Sequence, residues 1–192
     1  MNIGFWNIRG VGKTCLWEEL TYIRKFSKLN ILVLSETKTS IKPSVSSIKK
    51  AGFHDFFFIP SIGTRGGMWL LWNHNSLTNK TNIIHYTDRI IVCSVNYESE
   101  NIYLIFIYAP SREDEKDNFW SQLQIYIDSL NGKVILIGDL NEIEDSSEKW
   151  GGVSPTNNRF RRLRQIRYNL DLINPPTQGI PFTWRKKQDD NK

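Results

Sequence analysis

Five side chains in this 192-residue sequence are of types that share one chemistry: Asn7, Glu36, Tyr108, Asp139 and Asn141. Each stands at or just beyond the end of an apolar run. Asp139 and Asn141 follow Val134-Ile135-Leu136-Ile137-Gly138, a short continuous stretch with the character of a strand buried on both faces. If the extended conformation continues, residues two apart share a face, and a carboxylate and a carboxamide emerge side by side where a central strand ends. Asp and Asn are also ordinary turn formers, so this stretch taken alone equally describes a strand followed by a turn. Glu36 follows the run Ile31–Leu34, Asn7 lies near the end of Asn2–Ile8, and Tyr108 closes a strand from Ile102. Asn7 on its own fits a turn or a satisfied core amide just as well. Carboxylates and amides without Cys or His suit a hard ion such as Mg²⁺ or Mn²⁺, which takes oxygen ligands and keeps several waters. A carboxylate that the metal does not consume can orient or deprotonate water, and those are the parts of metal-assisted phosphodiester hydrolysis.

The elements that must position these groups alternate between strand and helix at both ends of the chain. Asn2–Ile8 reads as a first strand, Thr14 as a helix cap before an apolar stripe of either Trp17, Leu20 and Phe26 or Leu16, Leu20 and Ile23, and Ile31–Leu34 as a second strand. The segment 41–52 is a short helix or a surface loop. His54–Pro60 and Met68–Trp72 are strands joined through Gly63–Gly67, a hairpin turn rather than a phosphate loop because no G-x-x-x-x-G-K-[ST] follows. Asn82–Tyr86, Ile90–Tyr97 and Ile102–Ala109 continue an antiparallel meander. Ser111 with Asp114 approximates a capping box ahead of a helix with Phe119, Leu123, Ile127 and Leu130 on one face, stopped by Asn131-Gly132. A further helix carries Phe160, Leu163, Ile166 and Leu170. One compact layered α/β domain over 1–184, with a charged tail at 185–192, is the expected organisation.

Bulk properties are compatible with this. Seven Trp, seven Tyr and ten Phe exclude disorder for most of the chain. A net charge of +5 and a pI of 9.2 suit a polyanionic partner without demanding one. Cys15 and Cys93 form no C-x-x-C or Cys/His cluster, which leaves no zinc site but does leave a single disulfide open. There is no secretory signal and no apolar run of membrane-spanning length, so an intracellular protein with no membrane partner is expected.

Taken in order, Phe5-Trp6-Asn7-Ile8-Arg9-Gly10, Leu34-Ser35-Glu36-Thr37, Ile107-Tyr108-Ala109-Pro110, Gly138-Asp139-Leu140-Asn141-Glu142 and Phe182-Thr183-Trp184 resemble the endonuclease/exonuclease/phosphatase superfamily. Through Gly66–Trp72, Asn141-Glu142-Ile143, Gly151-Gly152 and Gly179–Trp184, the chain is most similar to the endonuclease domain of plant LINE-type non-LTR retrotransposons. That resemblance implies a four-layered α/β sandwich, two packed mixed or antiparallel sheets flanked by helices. It implies Glu36 as a metal ligand with Asn7 as a ligand or orienting neighbour, and Asp139 as the residue that activates water. Asn141 would hold the scissile phosphate or that water, and Tyr108 would contact the phosphate or a water on the metal. A nick with a 3′-hydroxyl in duplex DNA, which in such elements primes a downstream reverse transcriptase, is the implied product.

The family normally continues with an Arg-Leu-Asp-type strand and a Ser-Asp-His loop. The sequence stops at Lys192, before either, and His54, His74 and His85 lie in the wrong region to substitute. The expectation is therefore a sandwich lacking its last strand or strands, with little activity. Two rival readings follow: a catalytically inactive retroelement relic or nucleic-acid-binding module, and a phosphatase of the same superfamily. For backbone contacts with DNA the candidates are Arg159, Arg161, Arg162, Arg164 and Arg167, five guanidiniums in nine residues, with Arg65 and Trp184 as lesser ones. The same arginines also describe an ordinary solvated helix face.

Overall fold

A computed structural model describes residues 1–73, 81–151, 157–179 and 182–183, with 157–159 as backbone alone. The described elements are β1 (Ile3–Asn7), α1 (Leu16–Ser27), β2 (Ile31–Ser35), α2 (Val45–Lys50), β3 (Asp55–Ile59), β4 (Met68–Trp72), β5 (Asn82–Tyr86), β6 (Ile90–Tyr97), β7 (Glu100–Tyr108), α3 (Glu113–Asp128), β8 (Lys133–Asp139) and α4 (Asn157–Asn169). They fall into two compact units, Met1–Ser111 with Leu130–Leu140, and Arg112–Ser129 with Asn141–Lys192. No helix among the described residues is long and apolar enough to cross a membrane.

The first unit is an α/β sandwich of the expected class. Its two four-stranded mixed sheets run β1-β2-β4-β3 and β5-β6-β7-β8. Within them β1 is parallel to β2 and β8 to β7, while the other pairings are antiparallel. Alternation along β2 shows how the layers form. Ile31 and Val33 join Met68, Leu70, Leu104 and Phe106 between the sheets. Leu32 and Leu34 join Trp69 and Leu71 beneath Leu16 and Leu20 of α1 and Ile48 of α2. Both faces of β2 are therefore covered, and every residue in it is buried, which is why it reads as an unbroken apolar run. Full burial of such side chains contributes roughly 1.5–3 kcal/mol each. Cys15 is exposed and Cys93 buried, and both are free.

Three expectations are corrected. The meander begins at β5, since β3 and β4 form a hairpin in the other sheet. β8 is an edge strand, paired only with β7 among the described residues, with Ile135 39% exposed; a run of Val and Ile alone cannot distinguish a central strand from a half-covered edge. The Ser111–Asp114 box does not form either. Arg112 is the N-cap of α3, without a side-chain capping bond, and its guanidinium binds Asp114 instead.

In the second unit, α3 buries Trp120, Leu123 and Ile127 together with Lys116, one turn ahead of Trp120. Phe119 is only half-buried. α4 buries Phe160, Leu163 and Ile166 as its periodicity requires. The Lys116 ammonium, 1% exposed, donates to the Asn141 carbonyl at 2.8 Å and lies 3.4 Å from the fully buried Glu142 carboxylate. Arg162 also binds Glu142, along with Glu113 at 2.7 Å and Asp117 at 2.7 Å. Removing Lys116 takes one of two cations from the buried Glu142, Arg162 remaining, and removes the hydrogen bond to the Asn141 carbonyl. Lys116→Met, which keeps the volume, is expected to lower unfolding stability by about 3 kcal/mol in urea titration.

Candidate active site

The inter-sheet core of the first unit ends in a polar row. Phe5 of β1, Val33 of β2, Phe106 of β7 and Ile137 of β8 face that core. Two residues further on, the same faces carry Asn7, Ser35, Tyr108 and Asp139. Strand register keeps them level, Asn7 opposite Ser35 and Tyr108 opposite Asp139. The alternation that packs the core thus also delivers the polar groups to one end of it.

Glu36 reaches this row by breaking the alternation. Continued extension would send it to the helix-covered side with Leu32 and Leu34. Its φ of +52° instead makes a left-handed turn directly after β2, a conformation that costs a non-glycine residue on the order of 1–2 kcal/mol. Glu36 Oε1 then accepts hydrogen bonds from Asn7 Nδ2 at 2.9 Å and from the Tyr108 hydroxyl at 3.1 Å, while Lys38 Nζ lies 3.3 Å from Oε2. Asn7 Nδ2 also donates to Asp139 Oδ2 at 2.9 Å. The Arg9 amide donates to Asn7 Oδ1 at 3.3 Å, so the carboxamide must turn its NH₂ toward the acids. One amide nitrogen therefore bridges a carboxylate from each sheet.

Electrostatics fix the protonation states. Partial burial raises the Glu36 carboxyl, but the Asn7 amide, the Tyr108 hydroxyl and the Lys38 ammonium outweigh it and hold it below the ordinary glutamate value. Tyr108 is pushed up to about 12, first by burial, then by the charge and hydrogen bond of Glu36 and the charge of Asp139, against the lowering influence of Arg89. At neutral pH Glu36 is a carboxylate and Tyr108 a hydrogen-bond donor.

This donor set suits a hard divalent cation: two carboxylates converge on one point, with a carboxamide and a phenol beside them and no soft ligand. Among the described residues no three His, Cys, Asp or Glu side chains gather into a closed cage. The arrangement therefore fits an ion held by one or two carboxylates, its remaining positions left to water and a substrate phosphate, as Mg²⁺ prefers.

The remaining sequence candidates are placed differently. Asn141 has a φ of +47°, so the chain does not continue extended beyond Asp139 and the two-residue parity linking Asp139 to Asn141 is corrected. Asn141 opens the second unit, where Lys116 holds its carbonyl. Arg162, a candidate DNA contact, has its side chain 17% exposed and its guanidinium engaged by Glu113, Asp117 and Glu142. Arg167 pairs with Glu144 at 2.8 Å and Arg164 with Asp145 at 3.5 Å, though both remain accessible. Arg161 and Arg65 are exposed. Trp184, His74 and the Arg159 side chain lie outside the described residues. His54 is exposed and His85 half-buried on β5.

Two cations at the row escape sequence reasoning. Lys38, paired with Glu36, stands two residues after it in the chain, which was a usable signal. Arg89 lies over the Tyr108 ring at 5.8 Å, and its carbonyl accepts the Tyr108 amide; nothing in its local sequence marks it.

The fold is shared with solved structures at low identity. An AP endonuclease from Archaeoglobus fulgidus is similar with a TM-score of 0.66 and 18% identity, over 88% of this chain and 70% of that one. The AP endonuclease LMAP from Leishmania major gives 0.67 and 14%, over 86% and 65%. The 3′ phosphatase NExo from Neisseria, bound to a product DNA hairpin, gives 0.64 and 18%, over 88% and 70%. This chain thus spans about two thirds of the length of each. No curated protein matches it. Residues 4–188, which include every polar group of the row and nearly the whole sequence, match the Endonuclease/Exonuclease/phosphatase family, and the chain belongs to that family.

Proposed function

We propose that this chain is a divalent-metal-dependent phosphodiesterase that nicks duplex DNA, an endonuclease of retrotransposon type with residues 1–184 as its domain. The observation that carries the reading is the single Asn7 nitrogen shared by Glu36 and Asp139. Glu36, with Asn7 beside it, is the holder of Mg²⁺ or Mn²⁺; the bound ion would offset negative charge on the phosphate and the departing oxygen. Asp139 orients a water molecule and takes its proton as the water oxygen bonds to phosphorus. Asn7 keeps the two carboxylates apart and aimed. Tyr108, protonated at working pH, donates to a phosphate oxygen, and Asn141 orients the phosphate or the water. The bond from phosphorus to the 3′ oxygen breaks, and that oxygen takes a proton from solvent, leaving a 3′-hydroxyl and a 5′-phosphate.

The retrotransposon part of the reading is supported by the segments Gly66–Trp72 and Gly179–Trp184, and a downstream reverse transcriptase is the partner such a 3′ end would serve. Duplex DNA as substrate is supported by the +5 charge and by the DNA-bound relative of the same fold. The test is nicking of supercoiled plasmid. Relaxed circles should accumulate with Mg²⁺, stop when EDTA exceeds the metal, and resume with added Mn²⁺. Absence of nicking with either metal would favour the inactive relic and overturn the proposal; hydrolysis of a phosphoinositide without nicking would favour the phosphatase.

A further inference from the structure

The left-handed turn at Glu36 is held by the segment opposite it. Beyond the last β2–β4 pair, Ser35 with Met68, the ladder continues: the Thr37 amide donates to the Gly67 carbonyl at 3.2 Å and the Lys38 amide to the Gly66 carbonyl at 3.0 Å. On the other side, Gly10 donates to the Glu36 carbonyl at 2.7 Å and Val11 to the Thr37 carbonyl at 3.1 Å. Thr37 is fully buried, and among the described residues its hydroxyl has no hydrogen-bond partner. That hydroxyl instead packs against Gly67, where a Cβ would lie 2.3 Å away. Gly66 also has a positive φ, +69° against +82° at Gly67, but a Cβ there meets nothing within 4 Å. Hydrogen bonding therefore does not explain why Thr37 is seated against Gly67; close packing does.

We infer that Gly67 is a positioning residue: its bare Cα admits the Thr37 side chain and so locks the backbone turn that aims Glu36 into the polar row. The inference rests on the reading of Glu36 as the metal holder, and Gly66→Ala is its internal control, since that change strains a positive φ without crowding Thr37. Mn²⁺ affinity, measured by electron paramagnetic resonance of the free ion, should fall at least about tenfold in Gly67→Ala, the scale of losses when a ligand's supporting contact is removed. Gly66→Ala should bind Mn²⁺ nearly as wild type does, even if it melts lower. Thr37→Ala added to Gly67→Ala should restore most of the affinity. Backbone ¹³C shifts of Glu36, which report the sign of φ, should move in Gly67→Ala and return in the double variant. Equal affinities for the two alanine variants, or no recovery in the double, would overturn the inference. Should Glu36→Gln leave Mn²⁺ binding unchanged, the metal-holder reading fails, and the ¹³C shifts decide the positioning role without it.

Discussion

Asp139→Asn is expected to lower the nicking rate by about 10³-fold while leaving the melting temperature at or slightly above that of the wild type. The substitution preserves shape, and the carboxamide oxygen of the new side chain still accepts the Asn7 hydrogen bond, so the row keeps its geometry. What disappears is the negative charge and the basic oxygen. Loss of one general base or one preorganised electrostatic group costs about 10²–10⁴ in rate, and 10³ corresponds to about 4 kcal/mol of barrier. The structure also explains why stability should not fall. Asp139 and Glu36 converge on one nitrogen, and neutralising one of two neighbouring carboxylates relieves repulsion in the absence of metal. Single-turnover nicking at saturating Mn²⁺ beside a thermal melt measures both halves. Wild-type turnover in Asp139→Asn would remove Asp139 from the chemistry.

The second large effect is on the scaffold. Gly138→Ala should lower stability by about 3 kcal/mol, at the upper end for an overpacked site, a shift of about 6–12 °C in melting temperature for a chain of this size. In the parallel register Gly138 faces Ile107, and a Cβ at Gly138 would lie 2.0 Å from the Ile107 carbonyl oxygen and 2.8 Å from its carbon. Those are backbone atoms, so no side-chain rotation relieves the contact; β8 must move away from β7. The next pair in the ladder is Tyr108 with Asp139, and the Ala109 amide donates to the Asp139 carbonyl at 2.9 Å. The same displacement therefore withdraws Asp139 from Asn7, and nicking should fall even well below the melting transition. Calorimetry and nicking at a temperature where the variant is fully folded test the two effects separately; a melt identical to the wild type would contradict the contact.

Much of the site was legible because it obeys the strand period. Asn7, Tyr108 and Asp139 each lie two positions beyond an inward-facing residue, Phe5, Phe106 and Ile137, so a count along each strand finds them. Glu36 was found as a charge at the end of an apolar run, but its orientation was not legible, because a left-handed residue reverses the face and no residue type announces it. Strand parity alone pairs Asn141 with Asp139, but the φ of +47° at Asn141 ends that parity. The arginines of α4 show another limit: composition marks them as a basic patch, while the acids that engage Arg162, namely Glu113, Asp117 and Glu142, stand far from it in sequence. The run at β8 reads alike for an edge and a central strand, because coverage is a property of neighbours, not of the run itself.

Glu36 belongs to one sheet and Asp139 to the other, so their separation is a span across the sandwich and not a feature of either layer. Sheets stack about 10 Å apart, and here the side chains of Val33, Phe5 and Phe106 act as the caliper that sets the gap. On the proposed function, the spacing of the two acids is thereby tied to core volume: a methylene added or lost several residues away would retune how they hold an ion, and mutational drift in plain hydrophobic positions would become a route by which the activity is sharpened or silenced.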